Sequence, residues 1–192
     1  VVGDASQQSR LLDAHVSGLG DTARISMDDT TLRATSDPML RAVVAHEIGH
    51  YVMNHVAQEV VSNTLIMSIG FVLIALGTRA TVRRFGSRWQ ISGTGDIASL
   101  PVFWGVYLLW GFASLPITNA IERTFEHQAD LFALNASQAP HGLAEFMIHD
   151  SDDARLRPTT VEYALFYTHP SDAERVETAM QWRAASAQLP GL

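Results

Sequence analysis

Residues 46 to 50 read His-Glu-Ile-Gly-His. On a helix, His46 and His50 lie one turn apart and project from one face, so two imidazoles can share one Zn²⁺ while Glu47 sits beside a metal-bound water. A carboxylate there can take the water's proton as the water attacks a carbonyl carbon. The chemistry that fits this spacing is zinc-dependent peptide hydrolysis. With eight histidines in 192 residues, the pattern would arise by accident in roughly one such chain in a hundred.

The flanks support a helix that could present these groups. Arg41-Ala-Val-Val-Ala45 before the motif and Tyr51-Val-Met-Asn-His55 after it are helix-compatible and mostly apolar, and Asp37-Pro38 supplies an N-cap and a first helical residue. Gly49 is the one poor helix former, unfavourable by about 1 kcal/mol relative to Ala. Close approach of a metal, a substrate or a neighbouring helix would explain it.

Composition narrows the chemistry further. The length suits one domain with a real core, and residues 1–192 read as a single metallopeptidase domain. Cysteine is absent, which excludes disulfides, thiolate ligands and a Cys nucleophile, so any zinc must use His and carboxylate ligands. A net charge of -7 and a pI near 5.5 argue against nucleic acid as a partner.

Two runs without a charge stand out, nineteen residues at 60–78 and twenty-five at 97–121. Each is long enough to cross a hydrocarbon layer of about 30 Å as a helix. A pair of buried helices in a soluble core is the alternative, but a chain this short offers little protein to cover them. Trp104, Tyr107 and Trp110 lie in the second run, and Pro116 could kink its end. The expectation is two transmembrane helices and a lipid bilayer as partner. The expected fold is mainly α with a small β-hairpin or sheet, a helical membrane metallopeptidase.

Residues 1–12 read as a polar lead-in. Two short strands follow, Ala14–Gly18 and Thr22–Met27, around Leu19-Gly20-Asp21. From Pro38 the helical pattern (37–59) can run unbroken into the first membrane helix, and the segment from Arg79 to Asp96 reads as the loop between membrane helices. The second membrane helix leads into 119–130, and 131–192 holds a helix at 142–149, an acidic loop through Asp153 and an amphipathic helix from Ser171 to about Ala185.

Two histidines leave a catalytic zinc one protein ligand short. Glu126, on the helix returning from the membrane, is the candidate. Asp130, one turn later on the same face, could accept the second N–H of a liganding imidazole and fix its tautomer. The competing reading is a solvated acidic stripe of Glu122, Glu126 and Asp130 with Arg123.

These residues resemble a known family: the CAAX prenyl endopeptidases and the HtpX-like bacterial heat-shock membrane proteases, integral-membrane zinc metallopeptidases of the gluzincin type. Their pattern is HExxH followed, beyond a membrane hairpin, by N-x-x-x-R-x-x-E-x-x-A-D. Here that reads Asn119, Arg123, Glu126, Ala129 and Asp130. Ala14-His-Val-Ser-Gly18 resembles the family's substrate-side edge strand, and Thr168-His-Pro-Ser-Asp-Ala-Glu-Arg175 a segment near its end. Glu122 departs from the prenyl-protease branch, which usually has Ser there. The family carries membrane helices ahead of its HExxH helix, so the resemblance implies upstream membrane helices missing from this chain, which covers the C-terminal catalytic half.

The expected site therefore has one Zn²⁺ on His46, His50 and Glu126, with Glu47 as general base. The resemblance adds His169 as a donor to the oxyanion. Arg123 is expected to orient carboxylates near the site, and Asn119 to position substrate or a water, or to make a plain polar contact between helices. Ala14, His15 and Val16 would pair with an extended polypeptide substrate as an added strand. His55, His127, His141 and His149 receive no role. His55 is off the ligand spacing, and His127 is about 100° round the helix from Glu126.

Two rivals are a site-two-type intramembrane protease, whose later Asp ligand in a Gly- and Pro-containing motif is not found here, and an inactive homologue serving as a scaffold or metal-binding subunit. Intact His46, Glu47, His50 and Glu126 count against the second. Orientation stays open: four Arg between the membrane helices suggest a cytoplasmic loop and a zinc site on the other side, whereas the bacterial relatives have a cytoplasmic site. A prenylated CAAX tail, damaged membrane proteins and a dedicated partner all fit as substrates.

Overall fold

The computed structural model describes residues 1–4, 14–18, 20–22, 24–150 and 156–188. The expected lead-in beyond Asp4 and the acidic run 151–153 lie outside them. The described chain is mainly helical with one three-stranded sheet of order β1-β3-β2, where β1 is Val2–Gly3, β2 Ala14–Ser17 and β3 Arg24–Asp28. Seven α-helices follow among the described residues: α1 (Asp29–Ala34), α2 (Asp37–Val52), α3 (His55–Trp89), α4 (Leu100–Ser137), α5 (Pro140–Asp150), α6 (Thr160–Phe166) and α7 (Asp172–Ser186).

The chain divides into two compact units, one from 1–58 with 119–192 and one of Glu59–Thr118. In the first, α2, α4, α5 and α7 close around Ala42, Leu134, Leu143, Ala144, Met147 and Ala179, with Leu131, Phe146, Val176 and Trp182 packed on them. These side chains recur at helical spacing on four elements, so each helix buries one stripe. Capping boxes start the two short C-terminal helices, Thr159 with Glu162 on α6 and Ser171 with Glu174 on α7.

The second unit holds most of the apolar runs. The hydrophobic window of α3 is 11% buried and that of Ile97–Ser137 only 6%. Phe71, Leu108 and Leu109 are among the exposed side chains. Helices this apolar and this uncovered are the opposite of a soluble protein's core, and both are long enough to cross a membrane. Within the unit, Gly70 faces Trp110 so closely that any Cβ would strike the indole, the small-residue contact that lets helices approach in lipid.

Three expectations about boundaries change. The helix that starts at Asp37 has Ser36 rather than Asp37 at its N-cap position. It does not run unbroken into the first apolar run: α2 ends at Val52 and α3 begins at His55, with Asn54 at a φ of 60°. Asn tolerates that left-handed conformation and ends the helix there, its N–H reaching back 3.0 Å to the Tyr51 carbonyl. The expected loop from Arg79 is helical as far as Trp89, because arginine ends an apolar run without disfavouring a helix. α6 was not anticipated.

Candidate metal centre

Helix α2 carries His46, Glu47 and His50, and the C-terminal part of α4 carries Glu126 and Asp130. Gly49 allows the two helices to meet: a Cβ there would lie 3.2 Å from Phe132 Cβ and 3.3 Å from Ala129 Cα. The close approach is with a neighbouring helix.

Three ligand-type groups converge where the helices touch. His46 Nε2 lies 3.0 Å from His50 Nε2. Glu126 Oε2 lies 3.3 Å from His46 Nε2, and Glu126 Oε1 3.3 Å from His50 Nε2. Ligands on a tetrahedral zinc with bonds of 2.0–2.1 Å are about 3.3 Å apart. Glu126 Oε2 is buried and has no hydrogen-bond donor, a costly state for a carboxylate oxygen unless a cation completes it. Two ring nitrogens aimed at each other and an unsatisfied carboxylate oxygen fit a divalent cation with N and O preferences.

A second layer holds these groups in place. Asp130, 1% exposed, accepts from His46 Nδ1 at 2.9 Å. Arg175 grips the same carboxylate with two bonds, Nε to Oδ2 at 2.8 Å and Nη2 to Oδ1 at 2.6 Å. Burial disfavours a charged His46 ring, but the Asp130 carboxylate that accepts from it and the Glu126 carboxylate beside it outweigh the burial and raise its pKa to about 9. Without a cation, His46 keeps a proton that a metal must displace. His50 Nδ1 lies 3.0 Å from His55 Nδ1, and His55 Nε2 3.1 Å from Gln128 Oε1.

Glu47 lies in a cleft of about 430 Å³ with His46 and Glu126. Burial raises its pKa, against the lowering charges of His46 and His50. The Val16 N–H of β2 donates to it. Across the cleft runs Phe166-Tyr167-Thr168-His169-Pro170. The Thr168 hydroxyl lies 3.0 Å from His169 Nδ1, and His169 Nε2 lies 3.4 Å from Glu126 Oε2, with the side chain 57% exposed. Partial burial lowers the His169 pKa against the pull of Glu126.

The model of peptidase family M48 matches residues 2–183. The chain belongs to peptidase family M48. This M48 chain is 29% identical over 176 residues to the uncharacterized metalloprotease YhfN of Bacillus subtilis, covering 91% of the chain and 41% of that protein. It is 29% identical over 198 residues to CAAX prenyl protease 1 of Saccharomyces cerevisiae, covering 93% and 43%. The crystal structure of S. mikatae Ste24p superposes with a TM-score of 0.71 at 26% identity, over 93% of this chain and 44% of that one. The chain thus spans about two fifths of the length of the curated relatives it matches.

Within this M48 chain, His46, Glu47, His50, Glu126, Asp130 and His169 lie close together. Arg123 does not meet a carboxylate of the metal group. Its guanidinium donates to the carbonyls of Tyr163 and Tyr167 at 2.9 and 2.5 Å and lies 4.4 Å over the Tyr163 ring. Asn119 Nδ2 donates to the Ala164 carbonyl at 3.1 Å. Both clamp the segment that leads to His169. Arg175, His55 and Gln128 received no role from sequence. Arg175 stood in the quoted His-Pro segment, whereas helical spacing pointed away from His55.

Proposed function

We propose that this chain is the catalytic part of a membrane-bound zinc metalloendopeptidase that hydrolyses peptide bonds in protein processing or membrane-protein quality control. We assign residues 1–192 to one metallopeptidase domain. The observation that carries the reading is the convergence of His46, His50 and Glu126, whose ligand atoms lie within 4.8 Å of one another, beside a buried Glu47 in an open cleft.

A zinc ion on those three residues supplies Lewis acidity, which polarises a carbonyl and acidifies water. Glu47, its pKa raised by burial, takes the proton of the attacking water and delivers it to the leaving amine nitrogen. His169 donates from Nε2 to the substrate oxygen as negative charge develops there. Asp130 keeps the His46 proton on Nδ1 and its lone pair on Nε2. Arg123 and Asn119 hold the backbone that carries His169.

Substrate binding rests on β2. It pairs with β3 along one side only, with Val16 opposite Ile25 and His15 opposite Ser26. The Ile25 carbonyl is taken by the Val1 ammonium at 2.8 Å, so Val16 belongs to a non-hydrogen-bonded pair and its N–H faces away from β3. A polypeptide added along Ala14–Val16 would run beside Glu47 in an extended form. Val43, Leu143, Phe146, Met147 and Phe166 line the same cleft and suit an apolar side chain near the scissile bond. Several relatives are named CAAX prenyl proteases, which makes prenylated C-terminal peptides one class to test.

The test is cleavage of an unfolded reporter by the detergent-purified chain, with a zinc chelator and after zinc is restored. The expected result is loss and recovery of cleavage. Cleavage indifferent to chelation would sink the reading.

A further inference from the structure

His50 and His55 stand five residues apart, about 140° round an unbroken helix, so they should not meet. They do. The left-handed turn at Asn54 separates α2 from α3 and returns His55 to the site, where its Nδ1 lies 3.0 Å from His50 Nδ1. His55 is 1% exposed, its ring stacks on Phe125 at 4.7 Å and 19°, and its Nε2 lies 3.1 Å from Gln128 Oε1.

We infer that His55 and Gln128 are positioning residues that fix the tautomer and ring orientation of His50 for metal binding, an inference that rests on the metal reading above. The hydrogen-bond directions admit one consistent chain. A His50 that offers Nε2 to a cation must carry its proton on Nδ1. That N–H donates to His55 Nδ1, which must then be the bare nitrogen, so His55 carries its proton on Nε2 and donates it to the Gln128 carbonyl oxygen. Each ring has one tautomer, set from Gln128 inward. Because Oε1 of Gln128 only accepts, it selects the His55 tautomer that leaves Nδ1 free for His50.

The two histidine ligands are therefore supported in different ways. His46 leans on Asp130, a carboxylate held by Arg175. His50 leans on a neutral imidazole and an amide. An acceptor without charge orients His50 without adding a further carboxylate to Glu47, Glu126 and the Arg175-paired Asp130. The Asn54 turn has a function in this scheme, since it places the acceptor where no continuous helix could.

The full chain, stripped of metal and reloaded with Zn²⁺ or Co²⁺, tests this with two variants. His55→Phe keeps the ring stack and removes the acceptor; His55→Asn keeps an acceptor oxygen near the Nδ1 position. His55→Phe should lower Zn²⁺ affinity by about 10- to 100-fold and shift the visible bands of bound Co²⁺, with the melting temperature of the metal-free chain unchanged. His55→Asn should restore affinity to within about threefold of the parent and the parent Co²⁺ spectrum. Parent-like affinity and spectrum in His55→Phe would overturn the inference. So would equal losses in both variants with a lowered metal-free melting temperature, which would make His55 a packing residue. If the parent chain takes up no stoichiometric Zn²⁺ or Co²⁺, the metal reading itself has failed and this inference falls with it, an outcome distinct from the other two.

Discussion

Arg175, from α7, holds Asp130, from α4, through two hydrogen bonds of 2.8 and 2.6 Å, with both side chains buried. The pair ties the C-terminal helix to the carboxylate that supports His46. Removing one partner of a buried ion pair strands the other, at about 3–5 kcal/mol. Arg175→Ala should lose stability of that order in denaturant unfolding of the metal-free chain, and should weaken zinc binding because Asp130 no longer has a fixed position. Arg175→Lys keeps the charge but not the two-pronged geometry, and should fall between.

Arg123 satisfies the carbonyls of Tyr163 and Tyr167 and lies away from the metal group. Arg123→Met should therefore leave zinc content unchanged and lower turnover by roughly 10- to 100-fold, because His169 is no longer held at the cleft. Limited proteolysis should open new cuts between 156 and 171. Loss of zinc in this variant would contradict the placement.

Metal removal should reverse the pH dependence of stability. In the metal-free chain the His46 pKa stands near 9 against 6.5 for a free ring. A raised folded value means the stabilisation is complete below about 6.5 and is lost as pH rises through about 9. The metal-free melting temperature should fall across that window. With zinc bound, the proton is replaced by the cation and binding tightens as pH rises, so the loaded chain should hold or gain. Differential scanning fluorimetry at several pH values checks both.

Leu134 is fully buried among Ala42, Leu143 and Ala179. Leu134→Ala should cost about 2–5 kcal/mol in denaturant unfolding, with the spread set by how far α5 and α7 can close the cavity.

What the sequence revealed and what it hid follow from the range of each interaction. His46, Glu47 and His50 were legible because helical spacing is local, and Glu126 and Asp130 because one further helix turn links them. The uncharged runs exposed both long helices. Arg175, Gln128 and the Arg123 carbonyl contacts join elements distant in sequence, and no local pattern announces them. The turn at Asn54 was the costliest miss: asparagine in a left-handed conformation ends α2, and only that break brings His55 to His50. Its cue was faint, an Asn where glycine is the usual stop. The cue for α6 was plain by comparison, since Thr159 and Glu162 have capping-box spacing.

The most direct measurement is zinc content and reporter cleavage on the same preparations of the parent chain and Glu47→Gln. In the proposed mechanism Glu47 takes the proton without being a ligand, so the variant should retain one zinc per chain while cleavage falls by about 10²- to 10⁴-fold. Cleavage equal to the parent's by zinc-loaded Glu47→Gln would contradict Glu47 as the base and the hydrolytic site with it.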